Sequence, residues 1–314
     1  MLDIPEHLTG RDFTRIAAWS PEDLKLVLDL AAELKEQQRR RVEHKVLPGR
    51  SLGMIFQKPS TRTRVSFEVG IAQLGGFGLY LRADDLQLGR GETIRDTATV
   101  LSRYLDAIVI RTFAQEDVEQ LAEHADIPVI NGLTDSAHPC QALADVMTVK
   151  ERLGRLSGIR ITYLGDGNNV CASLMTAAAK LGMRFVAAVP EGYEPDEEVV
   201  KTSRRAAVQS GGTVEIVHDP REAAKGANVL YTDVWTSMGQ EKERERRLKD
   251  LAGFGIDSEL LALAADGAIV LHCLPAHYGE EITEEVLYGP QSAVWDEAEN
   301  RLHSQKALLA LIVP

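Results

Sequence analysis

The stretch Leu52-Gly53-Met54-Ile55-Phe56-Gln57-Lys58-Pro59-Ser60-Thr61-Arg62-Thr63-Arg64 passes from an apolar run, through a loop with a proline, into a hydroxyl-rich helix start. Strand, turn and helix in that order form the repeating unit of an α/β protein. Working outward, short apolar runs recur at 78–81, 107–110 and 127–130, with helical stretches near 62–74, 93–104, 115–124 and 139–153. A second series of runs lies at 159–164, 185–189, 214–217, 229–232, 268–271 and 293–295, again interleaved with helices. Upstream, Ser20-Pro21-Glu22 reads as a helix cap followed by proline at the first helical position. The pattern predicts two doubly wound domains with parallel sheets and an active site in the cleft between them. The expected boundaries are 1–150 and 151–297, with a C-terminal helix over 298–314 packing back onto the first domain. The charged segment 240–254 reads as a mobile loop with at most one helical piece.

The chain of 314 residues, at about 150 per domain, fits two domains. A hydrophobic share of 44% and a charged share of 26% are those of a globular protein. No run of 18 apolar residues occurs, and the acidic start broken by Pro5 has no signal-peptide pattern. A net charge of −12 argues against nucleic acid and anionic lipid as partners, so an anionic ligand needs a local cationic pocket. Cys140, Cys171 and Cys273 are an odd number with no C-x-x-C spacing, which fits a cytoplasmic location without disulfides or a zinc cluster.

Ligands of open α/β sheets bind beyond the carboxyl ends of the strands. Those ends carry Ser60 to Arg64, Arg111, His138-Pro139-Cys140-Gln141, Asp166-Gly167-Asn168-Asn169, Asp233 to Gly239, and His272-Cys273-Leu274-Pro275. Unpaired N–H groups and the dipole at a helix start, with hydroxyls and Arg62 beside them, suit a phosphate. The plainer reading of Ser60 is a helix cap.

These motifs, in this order and with Glu299-Asn300-Arg301 near the end, resemble those of the ornithine carbamoyltransferases. The resemblance runs over nearly the whole chain. It implies a carbamoyl phosphate-binding first domain and an ornithine-binding second domain. It also implies direct carbamoyl transfer to the δ-amine, giving citrulline and phosphate, without metal, organic cofactor or covalent enzyme intermediate.

By that resemblance, carbamoyl phosphate meets Ser60, Thr61, Arg62, Thr63, Gln87, Arg111, His138, Gln141, Cys273, Leu274 and Arg301, and ornithine meets Asn169, Asp233, Ser237 and Met238. Arg111, His138, Cys273 and Asp233 are the catalytic candidates. Gln87 is expected to come from the neighbouring subunit of a homotrimer. Each residue has a plainer role: a surface ion pair for Arg111, a cap for His138, a solvated helix start for Arg301, inert packing for Cys273. Asn168 is either a helix cap or an ornithine contact. Because neighbours on a strand face opposite ways, His272 and Cys273 are not expected to share a metal.

The nucleophile is the chemical difficulty. A side-chain amine of pKa near 10.4 costs roughly 4.6 kcal/mol to deprotonate at pH 7. Related carbamoyltransferases of putrescine or N-acetylornithine are the nearest alternatives. A nicotinamide dehydrogenase is opposed by the lack of G-x-G-x-x-G after the first strand of the second series, and a non-catalytic amino-acid sensor by the phosphate and oxyanion groups.

Overall fold

The computed structural model describes residues 5–82, 91–237, 239 and 241–314. Gln87 and Met238 lie outside the described residues. The chain divides into two compact units, Met1–Ala144 with Asn300–Pro314, and Asp145–Glu299.

The first unit is built on a parallel sheet of β1 (Ser51–Phe56), β2 (Phe77–Arg82), β3 (Ala107–Arg111) and β4 (Val129–Leu133), in the order β2-β1-β3-β4. Every residue of β1 and β3 is buried, as their unbroken apolar runs demand, whereas the edge strand β2 alternates toward solvent. Helices α1 (Pro21–Arg39), α2 (Thr61–Gln73), α3 (Ile94–Leu101) and α4 (Gln115–His124) precede or connect the strands. Ser20 caps α1, with Pro21 at its first position as the sequence predicts. Helix α5 (Pro139–Leu153) follows β4 and runs on into the second unit.

The second unit holds a parallel five-stranded sheet in the order β7-β6-β5-β8-β9. Its strands are β5 (Arg160–Leu164), β6 (Arg184–Ala188), β7 (Thr213–Val217), β8 (Val229–Thr232) and β9 (Ile269–His272). Helices α6 (Asn169–Lys180), α7 (Glu197–Ser210) and α8 (Pro220–Ala224) link them up to β8. Between β8 and β9 lie α9 (Arg244–Asp250) and α10 (Ser258–Leu261), and after β9 come α11 (Glu284–Leu287) and α12 (Val294–Ile312).

Each sheet reverses its strand order once. After β1 the chain adds β2 on one side and β3 on the other; after β5 it adds β6 and β7 on one side and β8 and β9 on the other. The crevices between β1 and β3, and between β5 and β8, are therefore the places where ligands bind such sheets.

One expectation needs correction. The run 293–295 is not a strand: Ser292 makes an isolated bridge to Val270, and Val294 already begins α12. Ala293 and Val294 are buried where a helix begins while Trp295 is exposed, and a three-residue apolar run cannot distinguish this from a strand. In 241–254 a 3-10 turn at Glu241–Glu243 runs directly into α9, in line with the one helical piece that the sequence allowed.

Candidate active site

At the β1 end, Ser60 adopts extended backbone and its hydroxyl oxygen accepts the Thr63 N–H at 3.1 Å, so Ser60 is the N-cap of α2. The cap consumes a lone pair and leaves the hydroxyl proton to donate. The plainer reading of Ser60 is thus true and compatible with the functional one. Thr61 is exposed, Arg62 half-buried and Thr63 buried. Beside them, Arg111 closes β3, buried, with its carbonyl accepting the Gln57 N–H at 2.9 Å.

Arg301 is buried, not solvated. It donates from Nη1 to Gln141 Oε1 at 2.7 Å and from Nη2 to Thr63 Oγ1 at 3.1 Å. With the Gln305 amide turned to suit both neighbours, its oxygen accepts from Arg301 Nη2 at 3.0 Å and Nε at 3.2 Å, and its nitrogen donates to Ser66. One guanidinium therefore ties the start of α2 to the first turn of α5.

His138 is buried just before α5. Burial first, then the charges of Arg301, Arg111 and Arg62, hold its pKa well below the usual imidazole value. It is a neutral imidazole among guanidinium groups, a cationic patch in a chain of net charge −12. Its neighbour Cys140 donates to the Asn131 carbonyl at 3.4 Å, and burial pushes its thiol up to about 12. Cys140 is a packing thiol.

Lys58 was not signalled by the sequence pattern. It is buried, pairs with Asp135 and lies 4.2 Å from the centre of the Phe113 ring. The methylene stem and a ring under the ammonium explain its burial.

In the second unit, the β5 end passes through Asp166-Gly167-Asn168 into α6. A Cβ on Gly167 would fall 2.3 Å from the Pro195 nitrogen, so only glycine fits there. Asn168 caps α6: its Oδ1 accepts from Val170 N at 3.0 Å and Cys171 N at 3.1 Å, and from the Tyr163 hydroxyl at 3.0 Å. Its Nδ2 donates to Asp233 Oδ2 at 2.8 Å. Asn168 thus orients Asp233, while the half-buried Asn169 opens the helix.

Asp233 follows β8, across the strand-order reversal from Asn168. Its Oδ1 accepts from the Cys273 thiol at 2.8 Å. Burial, then the Asp233 charge and hydrogen bond, then Glu297 and Asp145, raise the Cys273 pKa well above the usual thiol value. Cys273 is a thiol, not a thiolate.

The geometry also corrects the premise that His272 and Cys273 diverge. The strand ends at His272, and the chain turns through Leu274 at φ +58°. Asp233, His272 and Cys273 consequently bring one ligand atom each within 4.8 Å of one another. Both His272 nitrogens are engaged: Nδ1 accepts the Leu274 N–H at 2.8 Å, and Nε2 bonds Glu281 at 3.1 Å.

Ser237 is half-buried on the segment that leads to α9. Arg247 in α9, unforeseen in the sequence, anchors that segment. It is buried, donates from Nε to the Trp235 carbonyl at 2.5 Å, pairs with Asp166, and lies 5.0 Å from the centre of the Tyr193 ring. Burial raises the Asp166 pKa, against the opposing charge of Arg247.

Residues 11–151 match the carbamoyl-P binding domain of aspartate/ornithine carbamoyltransferases, and residues 157–312 match the Asp/Orn binding domain. The chain belongs to the aspartate/ornithine carbamoyltransferase family. Within that family it is 56% identical to the ornithine carbamoyltransferase of Pyrococcus horikoshii over 306 residues, 98% of this chain and 96% of the relative. It is 55% identical to the enzyme of Pyrococcus furiosus named an anabolic ornithine carbamoyltransferase, over 98% of this chain and 97% of the relative. The solved ornithine carbamoyltransferase of Pyrococcus furiosus superposes with a TM-score of 0.95 at 55% identity, covering 98% of each chain. That of Giardia lamblia gives 0.87 at 35% identity, over 96% of this chain and 97% of the other.

Proposed function

We infer that the chain transfers the carbamoyl group of carbamoyl phosphate to the δ-amine of L-ornithine, giving L-citrulline and phosphate, in arginine biosynthesis. The observation that carries this reading is the convergence of Arg62, Arg111 and Arg301 charge on a buried, neutral His138. A dianionic phosphate needs such a cradle, and the capped start of α2 adds N–H and hydroxyl donors. The carbamoyl oxygen gains charge as the amine attacks. Thr63, Arg111 and a neutral His138 N–H are the donors aimed at it, each contributing a few kcal/mol on general grounds. Gln141 holds the carbamoyl nitrogen.

In the second unit, Asp233 takes the α-ammonium of ornithine. Its oxygens keep lone pairs beyond those used by Asn168 and Cys273. Asn169 and Ser237 lie on the carboxylate side. Because Cys273 is held as a thiol, it does not abstract a proton first; it passes its own to Asp233 while accepting one from the amine. The anabolic name of the Pyrococcus furiosus relative supports the biosynthetic direction.

The same reading makes the first unit the carbamoyl phosphate domain and the second the ornithine domain. It further makes the protein a cytoplasmic homotrimer. Val65 and Val69 on α2 and Phe77 and Leu79 on the edge strand β2 are exposed, and an apolar face of this kind is suited to a second copy. All three cysteines are free, which suits a reducing compartment. No helix among the described residues is long and apolar enough to cross a membrane.

A steady-state assay with ornithine, putrescine and N-acetylornithine tests the reaction. Citrulline forms with ornithine as the preferred amine, and kcat/KM for ornithine rises with pH toward the alkaline side. Preference for either other amine rejects the acceptor, and absence of citrulline rejects the activity. Sedimentation reads the assembly, and a fully active monomer rejects the trimer.

A further inference from the structure

Asp145 lies in α5, seven residues beyond His138, and Glu297 lies in the first turn of α12. Their exposures are 0% and 1%, and their carboxyl groups hydrogen-bond to each other. A carboxylate is an acceptor only, so this bond requires a proton on one of the two. The rest of Glu297 is also occupied. Oε1 accepts the Tyr231 hydroxyl at 3.2 Å, and Oε2 accepts the backbone N–H of His272 at 2.8 Å.

His272 is the last residue of β9, and the next residue is Cys273, whose thiol meets Asp233. Glu297 therefore pins the peptide from which Cys273 leaves the sheet. The titratable groups facing the pair include Tyr231 from β8, Cys273 beyond β9 and Asp233 beyond β8.

We propose that Asp145 and Glu297 hold one proton between them and act as the positioning pair for the His272–Cys273 turn. Two full charges at that depth would repel each other and strip the His272 N–H of its fixed acceptor. With one proton, a hydrogen bond between the two carboxyl groups replaces that repulsion. Burial, followed by the neighbouring Asp145, raises the Glu297 carboxyl well above its usual range, in keeping with this arrangement. The folded chain then keeps a proton that the unfolded chain releases above the ordinary carboxylate pKa. The pair's contribution to stability is full below that value and is lost as pH rises through the folded pKa.

Glu297→Gln supplies the test, because its oxygen still accepts from His272 and its amide nitrogen donates to an ionised Asp145. Infrared difference spectra at neutral pH are expected to show a protonated-carboxyl band in the parent protein that Glu297→Gln removes. The Tm of Glu297→Gln minus that of the parent is expected to widen as pH rises from about 5 to about 9. Glu297→Ala is expected to lower kcat by on the order of tenfold to a hundredfold, with carbamoyl phosphate KM little changed, and Glu297→Gln to restore it. If Glu297→Ala does not fold, Glu297→Met fills the space without the acceptor and takes its place. A missing band or a pH-independent Tm difference overturns the shared proton. Parental kcat without the acceptor overturns the positioning role. The turnover arm rests on the assignment of Cys273 and Asp233 to the reaction; the infrared and stability arms do not.

Discussion

Cys273 donates its thiol proton to one oxygen of Asp233 at 2.8 Å while Asn168 holds the other oxygen at the same distance. The carboxylate is thereby fixed in orientation and is itself part of what keeps the thiol protonated. Alkylation of Cys273 is therefore expected to stay slow until well above the pH at which an ordinary thiol reacts. Asp233→Asn removes the charge and shifts that onset downward. Mass spectrometry of the labelled thiol across pH distinguishes Cys273 from the buried Cys140 and Cys171. Identical onsets in the two proteins count against the Asp233 effect.

Arg62 is half-buried at the helix start and adds little to the core. Arg62→Ala is expected to lose activity by on the order of a hundredfold or more while Tm stays within a few degrees of the parent. Carbamoyl phosphate binding by calorimetry and kcat/KM measure the loss. Parental kinetics in a folded Arg62→Ala protein would remove Arg62 from the phosphate cradle.

His138 and His303 are both buried with lowered pKa values, the latter to about 3 through burial and then the charges of Lys306, Lys35, Arg39 and His44. The unfolded chain takes up protons at both as pH falls below about 6.5, whereas the folded chain resists them. Stability is thus present above that pH and is lost below it, at about 1.4 kcal/mol per pH unit for each histidine. Urea titrations from about pH 8 to about pH 4 check the slope. His303→Gln is expected to flatten it, and an unchanged slope rejects the His303 share.

Arg247 joins Asp166 and the Trp235 carbonyl, so it holds the segments that carry Asn169 and Ser237. Arg247→Lys keeps a charge but loses the two-directional fork. It is expected to raise the ornithine KM by about tenfold and leave carbamoyl phosphate affinity unchanged. Arg247→Ala, which leaves Asp166 buried without its partner, is expected to cost about 3 kcal/mol of stability as well. Equal changes in both substrate affinities would contradict this division.

Much of this was legible in the sequence. Helices 115–124 and 139–153 and the strand 229–232 have the bounds that their periodicity predicts, because each is closed by unambiguous neighbours. The motifs also point to the strand ends at which their residues stand. What stayed hidden depends on distant partners. Arg247 sits in a run of charged residues that reads as solvated, and only the folded chain brings Asp166 and Tyr193 to it. Glu297 falls between the expected strand and the expected last helix with nothing to mark it, and only the folded chain brings Asp145 and the His272 peptide to it. Periodicity carries burial of apolar faces, but says nothing of which buried polar groups pair.

The single reversal of strand order in each sheet has a consequence for how such an enzyme changes its substrate. On the proposed assignment, the anhydride-handling groups stand at the ends of β1 and β3 and on α2, α5 and α12, and the amine-handling groups follow β5, β8 and β9 and lie on the segment through α9. Those two sets of anchors share no strand. If that assignment holds, retargeting to another acceptor is a matter of rewriting the connection from Asp233 to Arg247, with the donor machinery left as it is. On that assignment the architecture separates what is activated from what is chosen, so that specificity can drift while the reaction is conserved.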